Sequence, residues 1–242
     1  MLPIASLGGT PESVKQGVKL YQAIGGLPII RMLLDTNPSD YYKSLWNSCT
    51  TTSLWIGSVG FDDTFENLLR TFELTGFGAA KVEAVSPPPA LATLNEIISL
   101  YGEGKLRCKL EVKEVASRAV FADPNISLTE AMKMMCEKRI RRLFLTGKSG
   151  EFISDRSILS FLFSPKALKV ARDFPDSWMD LELSGIQTMR ARPVSSHAAV
   201  EDVGKMPESG RDVFILYDEV SLVSRWDLVM KPWKAGQLNL SP

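Results

Sequence analysis

In three short stretches of this 242-residue chain, a hydroxyl stands beside charged or polar side chains at helical spacing. Ser224, Arg225 and Asp227 form the fullest set. Ser154 and Arg156 form a second, with Ser157 three residues after the first hydroxyl, and Arg141 and Arg142 lie just upstream of it. Thr93 and Glu96 form the third. A hydroxyl at a helix start, together with the N–H groups that a helix leaves unpaired there, suits a phosphate. An arginine in the same stretch adds fork-like hydrogen bonds. The same residues also have a plain structural use, in which Ser154 and Ser224 cap helices and Arg156 and Arg225 lie on a solvated face.

Other chemistries find little material. The one histidine, His197, has no second imidazole for a metal site and no local partner for general-base work, so it reads as a surface or capping residue. Cys49, Cys108 and Cys136 form no short-spaced pair. Cys136 falls in an amphipathic pattern, and Cys49 and Cys108 fall between patterns and read as linker residues. Met132, Met134 and Met135 read as core filling. Neither Gly8-Gly9 nor Gly25-Gly26 precedes the Lys-Ser or Lys-Thr of a phosphate loop. With 28 basic and 28 acidic residues there is no basic stripe for a nucleic acid. The apolar stretch 27–34 is broken by Arg31 and far too short for a bilayer, and the first ten residues lack a signal-peptide pattern. The expectation is a cytoplasmic protein without membrane segment, metal or cofactor, and not an enzyme.

The elements that position these residues recur. Ser127 is set to cap a helix, with Glu130 three residues on. Leu128, Ala131, Met132 and Met135 follow at helical spacing. Residues 143–145 and 152–153 read as short strands about a turn at Lys148-Ser149-Gly150, and 154–163 as a closing helix. A second copy runs from a strand at 56–59 through a helix capped by Asp62 or Asp63 and ended by Gly76. It continues with strands at 79–85 and 91–92 about a triple-proline turn, and a helix over 93–101. A third copy has a cap at Ser195 or Ser196, strands at 213–216 and 221–223 about Asp218-Glu219, and a helix that Pro232 ends. A fourth, degenerate copy at the front has a helix over 11–24, a strand at 27–30 and a helix over 40–46. The charged segment 102–118 and the segment 164–192 read as connections. One such unit is too small to bury its sheet, so the units should pair sheet to sheet, in chain order the first with the second and the third with the fourth.

These stretches resemble the CBS-domain repeats named for cystathionine β-synthase. The match is strongest in SLTEAMKMMCEKRIRRLFLTGKSGEFISDRSILSFL at 127–162, and it continues in ALATLNEIISLY at 90–101 and VSLVSRWDLVMK at 220–231. The resemblance implies an α/β fold of tandem CBS-type repeats forming two pseudo-twofold paired modules. The divisions would be a degenerate repeat at 1–48, a repeat at 49–102, a repeat with its preceding linker at 103–165, and a linker and repeat at 166–242. It is similar to the stand-alone archaeal and bacterial type with four repeats, often dimeric.

The resemblance further implies that the hydroxyl entering each closing helix meets a phosphate and that an acid three residues on accepts ribose hydroxyls. Ser224 and Asp227 match both positions, with Arg225 between them. Ser154 matches the first position only, and Thr93 is followed by Glu96 in the acid position. Asp40 is the carboxylate of the first repeat, with Asn37 where the hydroxyl is expected. Arg141, Arg142, Arg156 and Arg225 would serve phosphate. The implied function is regulatory binding of an adenine nucleotide (AMP, ADP, ATP or a related adenosyl ligand), passed to an effector protein or across a homodimer. The alternative is an interaction scaffold whose ligand sites have decayed.

Overall fold

The computed structural model describes residues 26–35, 56–83, 90–162, 181–206 and 213–241, with isolated positions between 164 and 173. Asp40, Cys49, the triple-proline turn and the helices read at 11–24 and 40–46 lie outside the described residues.

The first described element is helix α1 (Leu27–Leu34), where the sequence reading has a strand. A short apolar run does not reveal its own period. Here Pro28 sits in the first turn, where a missing N–H costs nothing. Ile29, Ile30 and Leu33 then fall on one buried face.

The second repeat follows as β1 (Gly57–Gly60), α2 (Phe65–Thr75), β2 (Ala79–Glu83), β3 (Ala90–Thr93) and α3 (Leu94–Gly102). Strand β1 pairs parallel with β2, and β2 antiparallel with β3. Thr64, not Asp62 or Asp63, caps α2. Its side chain accepts from the Asn67 N–H, while Asp63 turns back to the Gly60 N–H at 2.6 Å. Gly76 ends α2 in the left-handed region with φ of 72°.

The charged connection carries structure of its own, with β4 (Leu106–Cys108), α4 (Val112–Val115) and β5 (Ser117–Arg118). Cys108 is therefore a strand residue, not a linker one, and burial pushes its thiol pKa up.

The third repeat comprises β6 (Phe121–Ala122), α5 (Leu128–Lys138), β7 (Arg142–Leu145), β8 (Glu151–Ser154) and α6 (Asp155–Leu162). Ser127 caps α5 by accepting from the Glu130 N–H at 3.1 Å. After a short 3-10 turn (Leu183–Gly185) come β9 (Met189–Arg190) and the fourth repeat: β10 (Arg192–Val194), α7 (Val200–Lys205), β11 (Phe214–Leu216), β12 (Ser221–Val223) and α8 (Arg225–Lys234). Strand β13 (Leu238–Leu240) is the last element and pairs antiparallel with β4. Helix α7 starts later than the sequence reading has it. Ala199 is its N-cap, and the Ser195 hydroxyl accepts from the His197 N–H instead.

Two compact units result, one of residues 1–55 with 120–190 and one of 56–119 with 191–242. In the first, strand order β6-β7-β8-β9 makes one sheet, and α1, α5 and α6 pack into one core around Ile30, Met132, Met135, Ile153 and Leu159. In the second there are sheets β1-β2-β3, β10-β11-β12-β5 and β13-β4. Each four-stranded sheet thus ends on a strand that precedes a different repeat in sequence. β9, which leads into the fourth repeat, completes the third repeat's sheet, and β5, which leads into the third, completes the fourth's.

The second unit groups the second repeat with the fourth, where the sequence reading pairs first with second and third with fourth. Its seam is helical, with α3 against α7 and α8. Tyr101 is the centre of that seam. Its ring lies where a Cβ on Gly204 would come within 2.4 Å, so α7 approaches α3 only because residue 204 is glycine. Its hydroxyl donates to the Leu228 carbonyl at 2.8 Å. That carbonyl is open because its helical partner would be the N–H of residue 232, which is proline. Pro232 therefore does not end α8, as the sequence suggests. The helix continues to Lys234, with Tyr101 supplying the missing donor.

Candidate functional site

In the fourth repeat, strand β12 delivers Ser224 to the N-cap of α8, with Asp227 one turn into the helix. The Asp227 carboxylate is 4% exposed as a residue and is the hub of a polar cluster. Its Oδ2 accepts from the Ser224 N–H at 2.8 Å, which with the Ser224 side chain facing the Asp227 N–H closes a capping box, and also from the Ser224 hydroxyl at 2.6 Å. Its Oδ1 accepts from the Ser117 hydroxyl at 2.8 Å and lies 3.0 Å from the Lys231 ammonium. Lys231 also donates to the Val115 and Ala116 carbonyls at 2.8 and 2.9 Å and to the Ser117 hydroxyl at 2.7 Å. This ties α8 to the end of α4 and the start of β5.

Arg225, 7% exposed, turns its guanidinium to the second repeat, where it donates to the Asn95 side-chain oxygen. Two helix N-termini are joined in this way. At the other, Thr93 caps α3, accepts from the Asn95 N–H at 3.2 Å, and shares a capping box with Glu96. The Thr93 hydroxyl itself donates to the Glu96 carboxylate. Thr93 is buried and Glu96 exposed. The structure therefore brings together Thr93, Glu96, Ser224, Arg225 and Asp227 in one unit, across the helical seam.

The remaining candidates lie in the other unit. Ser154 caps α6 by accepting from the Ser157 N–H at 3.0 Å, and the two hydroxyls lie 3.0 Å apart. The acid of this repeat is Asp155, directly after the cap, and it is 2% exposed. It accepts from Arg141 Nε at 2.8 Å, the Gly26 N–H at 2.6 Å and the Arg156 N–H at 2.8 Å. Burial alone would raise the Asp155 carboxyl. The Arg141 charge, the Gly26 N–H and the charge of Arg142 on β7 outweigh it and hold the group below the ordinary carboxylate range. Gly26 fits against α6 because it lacks a side chain: a Cβ there would meet Leu159 at 2.4 Å. Arg141, read as a phosphate ligand, is thus one half of a buried ion pair that fastens the start of α1.

Sequence reasoning missed Ser117, Asn95, Asp155 and Gly26. Lys231 was missed as well, although its place four residues beyond Asp227 on a helix is a local signal that could have found it. Ser117 and Gly26 gave no signal, since each acts over more than a hundred residues of chain.

Elsewhere, His197 is exposed and bonds Glu111 at 3.0 Å. Among the described residues no group of three or more His, Cys, Asp or Glu side chains is placed to hold a metal. No helix among them is long and apolar enough to cross a membrane.

No family model matches the sequence, and no curated protein matches it. Solved structures do. Protein MJ1225 of Methanocaldococcus jannaschii, a proposed archaeal homologue of g-AMPK, superposes with a TM-score of 0.67 at 12% identity, over 86% of this chain and 81% of that one. An uncharacterized conserved protein of Pyrococcus horikoshii gives a TM-score of 0.52 at 16% identity, over 72% and 77% of the two chains. The CBS-pair protein CBSX2 of Arabidopsis thaliana is a fainter likeness, with a TM-score of 0.38 at 13% identity over 52% and 96%. With its strand–helix–strand–strand–helix repeats, the chain has the CBS-type α/β fold.

Proposed function

We propose that the protein binds an adenine nucleotide as a regulatory ligand and passes the binding event to a partner protein or to a second copy of itself. One observation carries the reading. Arg225 links the start of α8 to the start of α3, so two helix N-termini, two cap hydroxyls and a guanidinium converge in one unit. The positive ends of helices and a guanidinium favour a phosphate. A carboxylate beside them supplies acceptors for a sugar. The likeness in fold to a proposed g-AMPK homologue supports the same reading.

Calorimetric titration with AMP, ADP and ATP tests it. Binding with a Kd below about 1 mM that Arg225→Ala weakens at least tenfold is expected. No heat from any of the three nucleotides, with the protein folded, would reject it. In that event the second reading, an interaction scaffold, takes its place. The observation that favours the scaffold is that Asp227 and the Ser154–Ser157 pair already bond within the chain.

A further inference from the structure

We infer that the contact between Asp227 and Ser117 is an autoinhibitory latch that a ligand's sugar hydroxyl releases. The inference rests on the nucleotide reading. An ionised carboxylate offers about four acceptor positions. At Asp227 all four are in use, by the Ser224 N–H, the Ser224 hydroxyl, the Ser117 hydroxyl and the Lys231 ammonium. A sugar hydroxyl can bond Asp227 only by displacing one of them.

The four are not equally replaceable. The two Ser224 bonds form the cap of α8 and are local. Lys231 carries a full charge, sits on the same helix, and is held by two backbone carbonyls besides. Ser117 is the neutral donor, it comes from 110 residues away, and it is an O–H, the same group the sugar presents.

The displaced residue also has a route to an output. Ser117 lies on β5, an edge strand with only two residues in register with β12, Ser117 opposite Leu222 and Arg118 opposite Ser221. Beyond them the Ala119 N–H donates to the Val220 carbonyl at 2.8 Å. Losing the Ser117 hydroxyl bond leaves β5 held by that short ladder and by Lys231. Three residues after Arg118 the chain enters β6, the leading strand of the third repeat. Occupancy at Asp227 is thereby converted into release of the segment that starts the next repeat.

The test combines hydrogen exchange at residues 117–119 with AMP titration, on the full chain as wild type, Ser117→Ala and Ser117→Thr. Three results are expected. Ser117→Ala without ligand raises exchange at Ala119 several-fold. AMP at saturation does the same to the wild type. Ser117→Ala binds AMP more tightly by about tenfold or more, the value of one hydrogen bond to a charged group no longer opposed. Ser117→Thr, which keeps the hydroxyl, should behave as wild type. If AMP binds but Ser117→Ala is no tighter and exchange at 117–119 does not respond to AMP, the latch is overturned and the nucleotide reading stands. If no variant binds AMP, ADP or ATP, both fall, and a rise in exchange in Ser117→Ala then marks a purely structural clip.

Discussion

The closing helices of the third and fourth repeats begin in the same way and place their acids differently. Each starts with a serine at the end of an antiparallel strand. In the fourth the acid stands three residues on, where it closes a capping box and gathers Ser117 and Lys231. In the third it stands one residue on, where it leaves the cap to the Ser154–Ser157 pair and reaches Arg141 and the Gly26 N–H. A shift of two positions along the helix turns the carboxylate from the cap to a distant segment. One kind of side chain, at two positions of the same first turn, therefore serves two ends. Asp227 holds a neutral hydroxyl that another hydroxyl can replace, whereas Asp155 holds a guanidinium in a buried ion pair, a far more permanent bond.

The comparison is broken most severely at Asp155. Replacing it by alanine takes the buried carboxylate from Arg141, only 24% exposed, and orphans the Gly26 N–H. Removing one partner of a buried pair costs about 3–5 kcal/mol, and urea denaturation should show that loss. The same group gives the first unit a pH dependence. Because its folded pKa lies below the ordinary value, its contribution is complete at neutral pH. It is lost as the pH falls below about 4 and through the folded value. Acid titration of Asp155→Asn should lack that part of the transition. A loss under 1 kcal/mol for Asp155→Ala would show that the pair contributes nothing net.

An intermediate effect is expected at the helical seam of the second unit. Tyr101→Phe removes the donor to the Leu228 carbonyl, and leaving a buried acceptor unpaired costs about 1–3 kcal/mol. Burial keeps the Tyr101 pKa well above its ordinary value, so the donor persists across the whole neutral and mildly basic range. Restoring the helix N–H by Pro232→Ala should recover part of the loss in the Tyr101→Phe background, with a coupling of about 0.5–3 kcal/mol in a double-mutant cycle. Additive effects would mean that the hydroxyl and the proline do not share that carbonyl.

Local pattern made most of the elements legible. The caps at Ser127 and Ser224, the stop at Gly76, the turn at Asp218-Glu219 and the apolar stripe of 128–135 are decided by residues within one or two turns of each other. The failures share a different physics. Pro232 reads as a stop because nothing nearby reveals that Tyr101, 127 residues before Leu228, fills the gap it leaves. Leu27–Ile30 reads as a strand because its burial on the core of the third repeat is a tertiary fact. The candidate site was legible in residue type at Ser224, Arg225, Asp227 and Thr93. Its grouping was not, since the bond from Arg225 to Asn95 joins two repeats that the chain separates by a third.

The smallest effect should come from Glu96, the second repeat's counterpart of Asp227. It closes the same capping box from a position exposed to water, accepting from the Thr93 N–H at 2.9 Å. Water can take over at an exposed cap, so Glu96→Ala should cost about 0.5–1 kcal/mol in urea denaturation. A capping role predicts that AMP affinity is then unchanged within about twofold. If affinity instead falls tenfold while stability moves by under 1 kcal/mol, Glu96 contacts the ligand. The sugar would then be held from the second repeat, through the longer and more exposed of the two acids, and Asp227 would be left to its cap.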